Sequence, residues 1–125
     1  MSVEGSAGAA PAQCVLVVED EMFVAMLVED ILLNAGYRVL KAARVDKALD
    51  LIKADGTIDA ALLDINLNGV EVFPVALKLR ELGVPFVFAS GYGRDGLPPD
   101  FNECPVLQKP YLPEALKAAV AALFA

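Results

Sequence analysis

The sequence contains no histidine and only two cysteines, Cys14 and Cys104. The lack of histidine removes the commonest general base and the commonest zinc ligand of proteins. Neither cysteine belongs to a CxxC pair or to a Cys/His cluster, which argues against a zinc site. We therefore expect both cysteines to be structural thiols in a reducing compartment.

Basic residues and long apolar runs are also scarce. Ten Lys and Arg stand against 17 Asp and Glu, so the net charge of −7 repels nucleic acid and anionic lipid, and we expect neither as a partner. No apolar run approaches the ~18 residues that a membrane span needs. Residues 1–13 are rich in Ala and Gly and lack the basic start and apolar centre of a signal peptide. We expect a disordered tail over 1–13 and a cytoplasmic protein.

Apolar residues make up 57% of the 125 residues, which suffices for the core of one ordinary domain. Short apolar runs alternate with segments of helical periodicity. The predicted strands cover 14–18, 37–42, 58–63, 84–89 and 106–108, and the predicted helices cover 21–35, 46–54, 74–82 and 112–124. The sequence thus predicts a single α/β domain over 14–125, with a doubly wound parallel sheet covered by helices on both faces.

One segment departs from this alternation. Residues 91–108 contain three Gly and three Pro with little helical periodicity. Because Gly costs about 1 kcal/mol and Pro about 3 kcal/mol in a helix interior, we expect the fourth helix of a regular alternation to be weak or absent. A mobile loop with at most one short turn is predicted in its place.

The first helix has predictable ends and faces. Asp20 can cap its start, and Gly36 suits the position just past its end. At about 100° per residue, five residues are expected to face the core: Val24, Leu27, Val28, Ile31 and Ala35. Met22, Met26 and Leu33 fall on the opposite, polar side, where exposed methionines suit protein docking.

Polar residues directly follow four of the predicted strands. Glu19 and Asp20 follow the first, Asp64 the third, Ser90 the fourth and Lys109 the fifth. The carboxyl ends of parallel strands meet at one edge of a sheet, where functional groups collect. Clustered carboxylates need a cation, and oxygen ligands without His or Cys favour Mg²⁺.

A metal ion and a lysine flanking one carboxylate form a place for an incoming phosphoryl group. Asp64 would be the nucleophile, and Ser90 would hydrogen-bond a phosphoryl oxygen. Taken singly, each residue has a plainer interpretation: the acids as a helix start, Asp64 as a loop residue, Ser90 as a turn residue and Lys109 as a surface lysine.

Four motifs together resemble the bacterial response-regulator receiver domains of two-component signalling: VLVVEDE at 15–21, LLDINL at 62–67, FASG at 88–91 and QKP at 108–110. The resemblance implies a flavodoxin-like fold whose five parallel strands follow the order 2-1-3-4-5. The segment PFVFASGYG at 85–93 further resembles the stand-alone "FAT GUY" receivers, named for a Phe-Ala-Thr-Gly-Tyr-like motif.

The resemblance also implies a role for each site residue. Glu19 and Asp20 match the acidic pair that holds Mg²⁺, with Asp20 expected to be the direct ligand, and Asp64 matches the phosphoacceptor, which also contacts the metal. The remaining matches are the backbone carbonyl of Asn66 as a metal ligand, Ser90 as the hydroxyl, Lys109 as the partner of the phosphoryl group and a cis bond before Pro110.

Three departures from the family pattern bear on switching. The loop after the phosphoacceptor is short, Val106 stands where an aromatic switch residue is usual, and the fourth helix is poor. An ordering of residues 91–104 upon phosphorylation is therefore our hypothesis in place of an aromatic rotamer change.

The resemblance implies a sensor histidine kinase as phosphodonor, with a downstream protein or phosphotransferase as a further partner. We expect its helical bundle to lie against Met22, Met26 and Leu33, although a neighbouring element or the tail could cover them instead. Tyr92 is a further candidate for partner docking and could gate the site, or it could be an ordinary surface aromatic.

The sequence thus predicts a single-domain phosphoacceptor that catalyses only its own phosphorylation and dephosphorylation and relays its signal by protein contact. Two alternatives stay open. One is a receiver-like docking module that is never phosphorylated. The other is a small aspartyl-phosphate hydrolase, a class that usually carries a second Asp at the position of Asn66.

Overall fold

A computed structural model describes residues 12–54, 56–92, 94 and 97–125. The predicted tail over 1–13 therefore lies outside the described residues except for its last two. Gly93, Asp95 and Gly96 of the predicted loop also lie outside them, so its mobility stays a prediction. Among the helices within these ranges, none is both long and apolar enough to cross a membrane.

Five parallel strands form the central sheet in the order β2-β1-β3-β4-β5. These strands are β1 (Cys14–Val18), β2 (Arg38–Ala42), β3 (Ile58–Asp64), β4 (Phe86–Ser90) and β5 (Val106–Gln108). The helices are α1 (Met22–Asn34), α2 (Val45–Ala54), α3 (Phe73–Glu81) and α4 (Pro113–Ala122). The flavodoxin-like, doubly wound α/β fold and its strand order are confirmed.

Alternate residues of the strands build two separate cores. Leu16, Leu63 and Phe88 point to the side covered by α2 and α3, whereas Val17 and Leu62 point to the side covered by α1 and α4. This alternation follows from the two-residue period of a strand. Because both faces are covered, β1, β4 and the second half of β3 read as continuous apolar runs, which is why they could be recognised from sequence.

Two predicted boundaries are wrong for identifiable reasons. Strand β4 begins at Phe86 rather than at residue 84, since Pro85 has no N–H to donate to a ladder. Glu21, not Asp20, is the N-cap of α1, and its side chain makes no capping hydrogen bond. Gly36 does lie just beyond the helix, with a left-handed φ of 96° that a glycine adopts readily.

The buried face of α1 is turned relative to the prediction. Ala25, Val28 and Leu32 are the buried residues of this helix, whereas Leu27 and Ala35 are exposed. The periodicity is correct but its phase is wrong, because α1 packs against both the sheet and α4, and these contacts bury the side with Ala25 and Leu32.

A short hairpin follows β3 and was not predicted. Residues Asn66–Leu67 pair in antiparallel fashion with Val70–Glu71. Asn68 and Gly69 form the turn with φ of 53° and 86°, the left-handed pair that suits a two-residue hairpin loop. The Asn-Gly dipeptide is a turn signal that could have indicated this hairpin.

A single 3₁₀ turn, Pro99–Phe101, stands among the described residues between β4 and β5. Phe101 is 3% exposed, and its ring stacks on Phe73 at 5.5 Å and meets Phe88 edge-on at 5.5 Å. The Arg80 guanidinium lies 4.4 Å from the centre of the Phe101 ring. One aromatic side chain thus anchors the turn where a fourth helix would otherwise cover the sheet.

We expect Phe101→Ala to lower the free energy of unfolding by about 3 kcal/mol, because it removes the ring at the centre of these aromatic contacts and leaves a cavity. Urea denaturation measures the change. Tyr92→Ala is the matched control in the same connection, since Tyr92 is 83% exposed and its loss should cost about 0.5 kcal/mol or less. A Phe101→Ala cost below about 1 kcal/mol would show that the turn does not depend on this anchor.

Candidate functional site

The register of the sheet brings the four predicted strand ends to one edge. Val18 pairs with Leu63, so the residues that follow them, Glu19 and Asp64, are level. Asp64 pairs with Ala89 on its other side. The Lys109 N–H donates to the Ser90 carbonyl at 3.0 Å, which carries the β4–β5 ladder one step past the strands. The fold therefore brings Glu19, Asp64, Ser90 and Lys109 together as predicted.

The Lys109 ammonium lies between two buried carboxylates. Its Nζ is 3.2 Å from Glu19 Oε1 and 3.3 Å from Asp64 Oδ2. Glu19 and Asp64 are 3% and 7% exposed, so water provides little stabilisation of either charge. The Lys109 ammonium thus forms ion pairs with both buried carboxylates.

Asp20 completes an acidic cluster. One carboxylate oxygen each from Glu19, Asp20 and Asp64 lies within 4.8 Å of the others. Glu19 is already engaged at both oxygens, since Oε1 contacts Lys109 and Oε2 accepts the Glu21 N–H at 3.1 Å. Asp20 is partly exposed and is therefore the freer carboxylate for a metal ion, in line with its predicted role as direct ligand.

The Lys109 ammonium does not fully neutralise the carboxylates of the cluster, as the pKa values of these groups indicate. Burial raises the pKa of Glu19 to about 7, and the nearby Asp64 charge adds to the rise despite the Glu21 N–H and Lys109. Burial also raises the pKa of Asp64, against the opposing effect of Lys109. Burial alone would lower the pKa of Lys109, but the two carboxylates outweigh it and raise that pKa. An additional cation would relieve this imbalance.

Ser90 and Tyr92 border the same cavity of about 560 Å³. Ser90 is 6% exposed, and its Oγ accepts the Tyr92 N–H at 3.0 Å, which leaves the hydroxyl hydrogen free to donate into the cavity. Tyr92 lines the mouth with an exposed side chain. Whether it gates the site stays a prediction.

Asn66 also lines the cavity, and its side-chain oxygen accepts the Gly69 N–H at 2.7 Å. That bond ties the side chain to the hairpin turn, which agrees with the expectation that Asn66 acts through its backbone. The Lys109–Pro110 peptide bond is cis, the isomer that the resemblance implies.

Two residues near the site were missed from the sequence. Glu71, on the second arm of the hairpin, is one of the residues that line the cavity. Phe23, next to the predicted docking residues of α1, is 80% exposed. The Asn-Gly turn signal, combined with strand alternation, could have placed Glu71 opposite Asn66.

Comparison with solved structures finds proteins of the same fold. The chain is 38% identical to SdrG from Sphingomonas melonis Fr1 in solution, with a TM-score of 0.80 over 93% of this chain and 99% of that one. It is 39% identical to the BeF3-activated conformation of SdrG, attributed to Pseudomonas melonis Fr1, with a TM-score of 0.77 over 93% of this chain and 100% of that one.

Sequence comparison finds a longer relative. The chain is 31% identical over 78 residues to YbdJ, an uncharacterised transcriptional regulatory protein of Bacillus subtilis (strain 168). That alignment covers 61% of this chain and 34% of YbdJ, so the chain spans about a third of its relative's length. A family profile described as the response regulator receiver domain matches residues 15–121. The order of the strands, the acidic cluster at their ends and this match agree, and the chain belongs to the response regulator receiver domain family.

Proposed function

We propose that this protein accepts a phosphoryl group on Asp64 from the phosphohistidine of a sensor histidine kinase, and relays the signal through protein contacts. One observation carries the proposal: Asp64 belongs to an acidic cluster that can hold a cation, and its carboxylate lies 3.3 Å from the Lys109 ammonium group. The 560 Å³ cavity above it leaves space for the incoming group. The stand-alone relay and the FAT GUY subgroup are parts of this proposal, and the FASGYG segment supports them.

The transfer is a displacement at phosphorus. An Asp64 oxygen forms the new O–P bond of an acyl phosphate, the N–P bond of the donor breaks, and the electron pair stays on the departing imidazole nitrogen. Lys109 stabilises negative charge on the phosphoryl oxygens, and the Ser90 hydroxyl donates to one of them. Hydrolysis or onward transfer to a further protein removes the group. The chain is thus a phosphoacceptor that acts only on itself rather than an enzyme with a separate substrate.

The donor set fits a divalent cation that prefers oxygen ligands, such as Mg²⁺. Asp20, Asp64 and the backbone carbonyl of Asn66 would hold it, with Glu19 supporting them from the buried side. When bound, the ion neutralises charge on the transferring phosphoryl group. The raised pKa of Glu19 and of Asp64 supports this assignment.

The first helix offers a surface for the donor. Met22, Met26 and Leu33 are 67%, 50% and 51% exposed, and Phe23 extends the same apolar area. None of the described elements covers them, although residues 1–11 lie outside the described ranges. A helical partner with an apolar face fits this side of α1.

We expect wild-type protein to be labelled by acetyl phosphate with Mg²⁺, and Asp64→Asn to show no labelling, because the amide cannot form an acyl phosphate. Intact-protein mass spectrometry measures the added phosphoryl group. Asp50→Asn, an exposed carboxylate on α2, is the matched control and should be labelled normally. Labelling of Asp64→Asn at the wild-type rate would refute Asp64 as acceptor. Wild type that hydrolyses donor without accumulating label in any condition would favour the hydrolase alternative.

Stability should depend on pH differently with and without Mg²⁺. Because the pKa of Glu19 is raised to about 7 in the folded protein, its contribution to stability is complete below about pH 4.5 and is lost as the pH rises through 7. In chelator, the free energy of unfolding should therefore fall between about pH 5 and 8, by at most about 3 kcal/mol. Mg²⁺ should reduce this fall.

Urea denaturation at both pH values, in chelator and in Mg²⁺, measures this difference. Glu19→Gln removes the titrating group and should flatten the dependence in chelator. Equal pH dependence with and without Mg²⁺ would contradict a metal ion at the acidic cluster.

We expect Met22→Gln combined with Met26→Gln to slow phosphoryl transfer from autophosphorylated histidine kinases about tenfold, which corresponds to the loss of about 1.4 kcal/mol of apolar contact. Labelling by acetyl phosphate should not change, since both residues lie outside the cavity. Leu77→Gln, a similarly exposed residue on α3, is the matched control. Kinase transfer unaffected by the double change would exclude this face as the docking site.

A further inference from the structure

The cavity above Asp64 contains an acidic residue that no motif accounts for. Glu71 lines it together with Asp20, Glu21, Asp64 and the cation Lys109. Glu71 is exposed, and no ion pair links it to any other residue of the described ranges. Its negative charge therefore acts on any molecule that enters the cavity.

The hairpin holds Glu71 at this position. Leu67 and Val70 face each other across the turn, and Asn66 and Glu71 form the next pair. Leu67 is 3% exposed and packs into the core on the α2 and α3 side. Because neighbouring residues of a strand point to opposite faces, this burial directs the Asn66–Glu71 pair to the cavity side.

The charge of Glu71 is not balanced once the site is complete. The three carboxylates of the cluster, from Glu19, Asp20 and Asp64, are offset by one divalent cation and by the Lys109 ammonium. The carboxylates of Glu21 and Glu71 remain as excess negative charge at the mouth. A cavity of 560 Å³ is about 10 Å across, so these charges act within roughly one Debye length of the approaching donor.

We infer that Glu71 determines which phosphodonors react with this site. This inference rests on the proposed function of Asp64. The Glu71 carboxylate repels small anionic phosphodonors at the mouth of the cavity. A protein donor that presents cationic side chains around its phosphohistidine would instead be attracted by Glu71. The residue thus disfavours adventitious labelling by metabolites that carry acyl phosphate groups.

Two small donors of different charge test the inference. Acetyl phosphate is a dianion at neutral pH, whereas phosphoramidate carries one negative charge fewer because its nitrogen is protonated. We expect Glu71→Gln to raise the labelling rate with acetyl phosphate about two- to fivefold more than the rate with phosphoramidate. Glu71→Lys should change this ratio further in the same direction, and high salt should reduce the effect in both variants.

Glu81→Gln is the matched control, because it removes the same charge from α3 outside the cavity. It should leave the ratio of the two rates unchanged. An unchanged ratio in both Glu71 variants, or an equal change in Glu81→Gln, would overturn the inference while labelling of Asp64 still supports the proposed function. No labelling of wild type by either donor would overturn the proposed function and this inference with it.

Discussion

The contact of one lysine with two buried carboxylates is the constraint on which the site depends. Lys109 Nζ reaches Glu19 at 3.2 Å and Asp64 at 3.3 Å only because the ends of β1, β3 and β5 are level at one edge of the sheet. A one-residue slip of any strand would turn its side chains to the other face and separate these groups. The chemistry of the site therefore requires this register of the sheet.

Apolar burial elsewhere in the fold offsets the unfavourable free energy of this arrangement. Two buried acids with one ammonium group leave an excess of negative charge, which is unfavourable in an interior of low dielectric. The strands compensate by being apolar on both faces, with Leu16, Val17 and Leu63 among their fully buried side chains. The site therefore keeps an excess negative charge, which a divalent cation can neutralise. The two cores make the protein stable enough to fold with this charge buried.

Much of the fold could be predicted because the strands are buried on both faces, and their polar terminal residues stand out from apolar runs. The position of each site residue followed from that contrast and from the resemblance. The phase of α1 could not be read correctly, because Leu27 and Leu32 are equally apolar and the packing of α1 on the sheet and on α4 decides which is buried. The hairpin was missed although Asn68 and Gly69 signal it. The anchoring role of Phe101 depends on partners far away in sequence, which no local pattern indicates.

The connection between β4 and β5 shows how a segment unsuited to a helix can still cover the sheet. Phe101 packs against Phe88, and Phe88 lies two residues before Ser90 on the same strand, so both point to the same side of the sheet. The aromatic contact that holds the turn thus begins two residues before the hydroxyl of the site on the same strand. Val106, at the usual place of a switch aromatic, pairs with Phe88 across the β4–β5 ladder and packs against the same core. Phe88 thus links the strand that ends at Ser90 to the turn that contains Phe101.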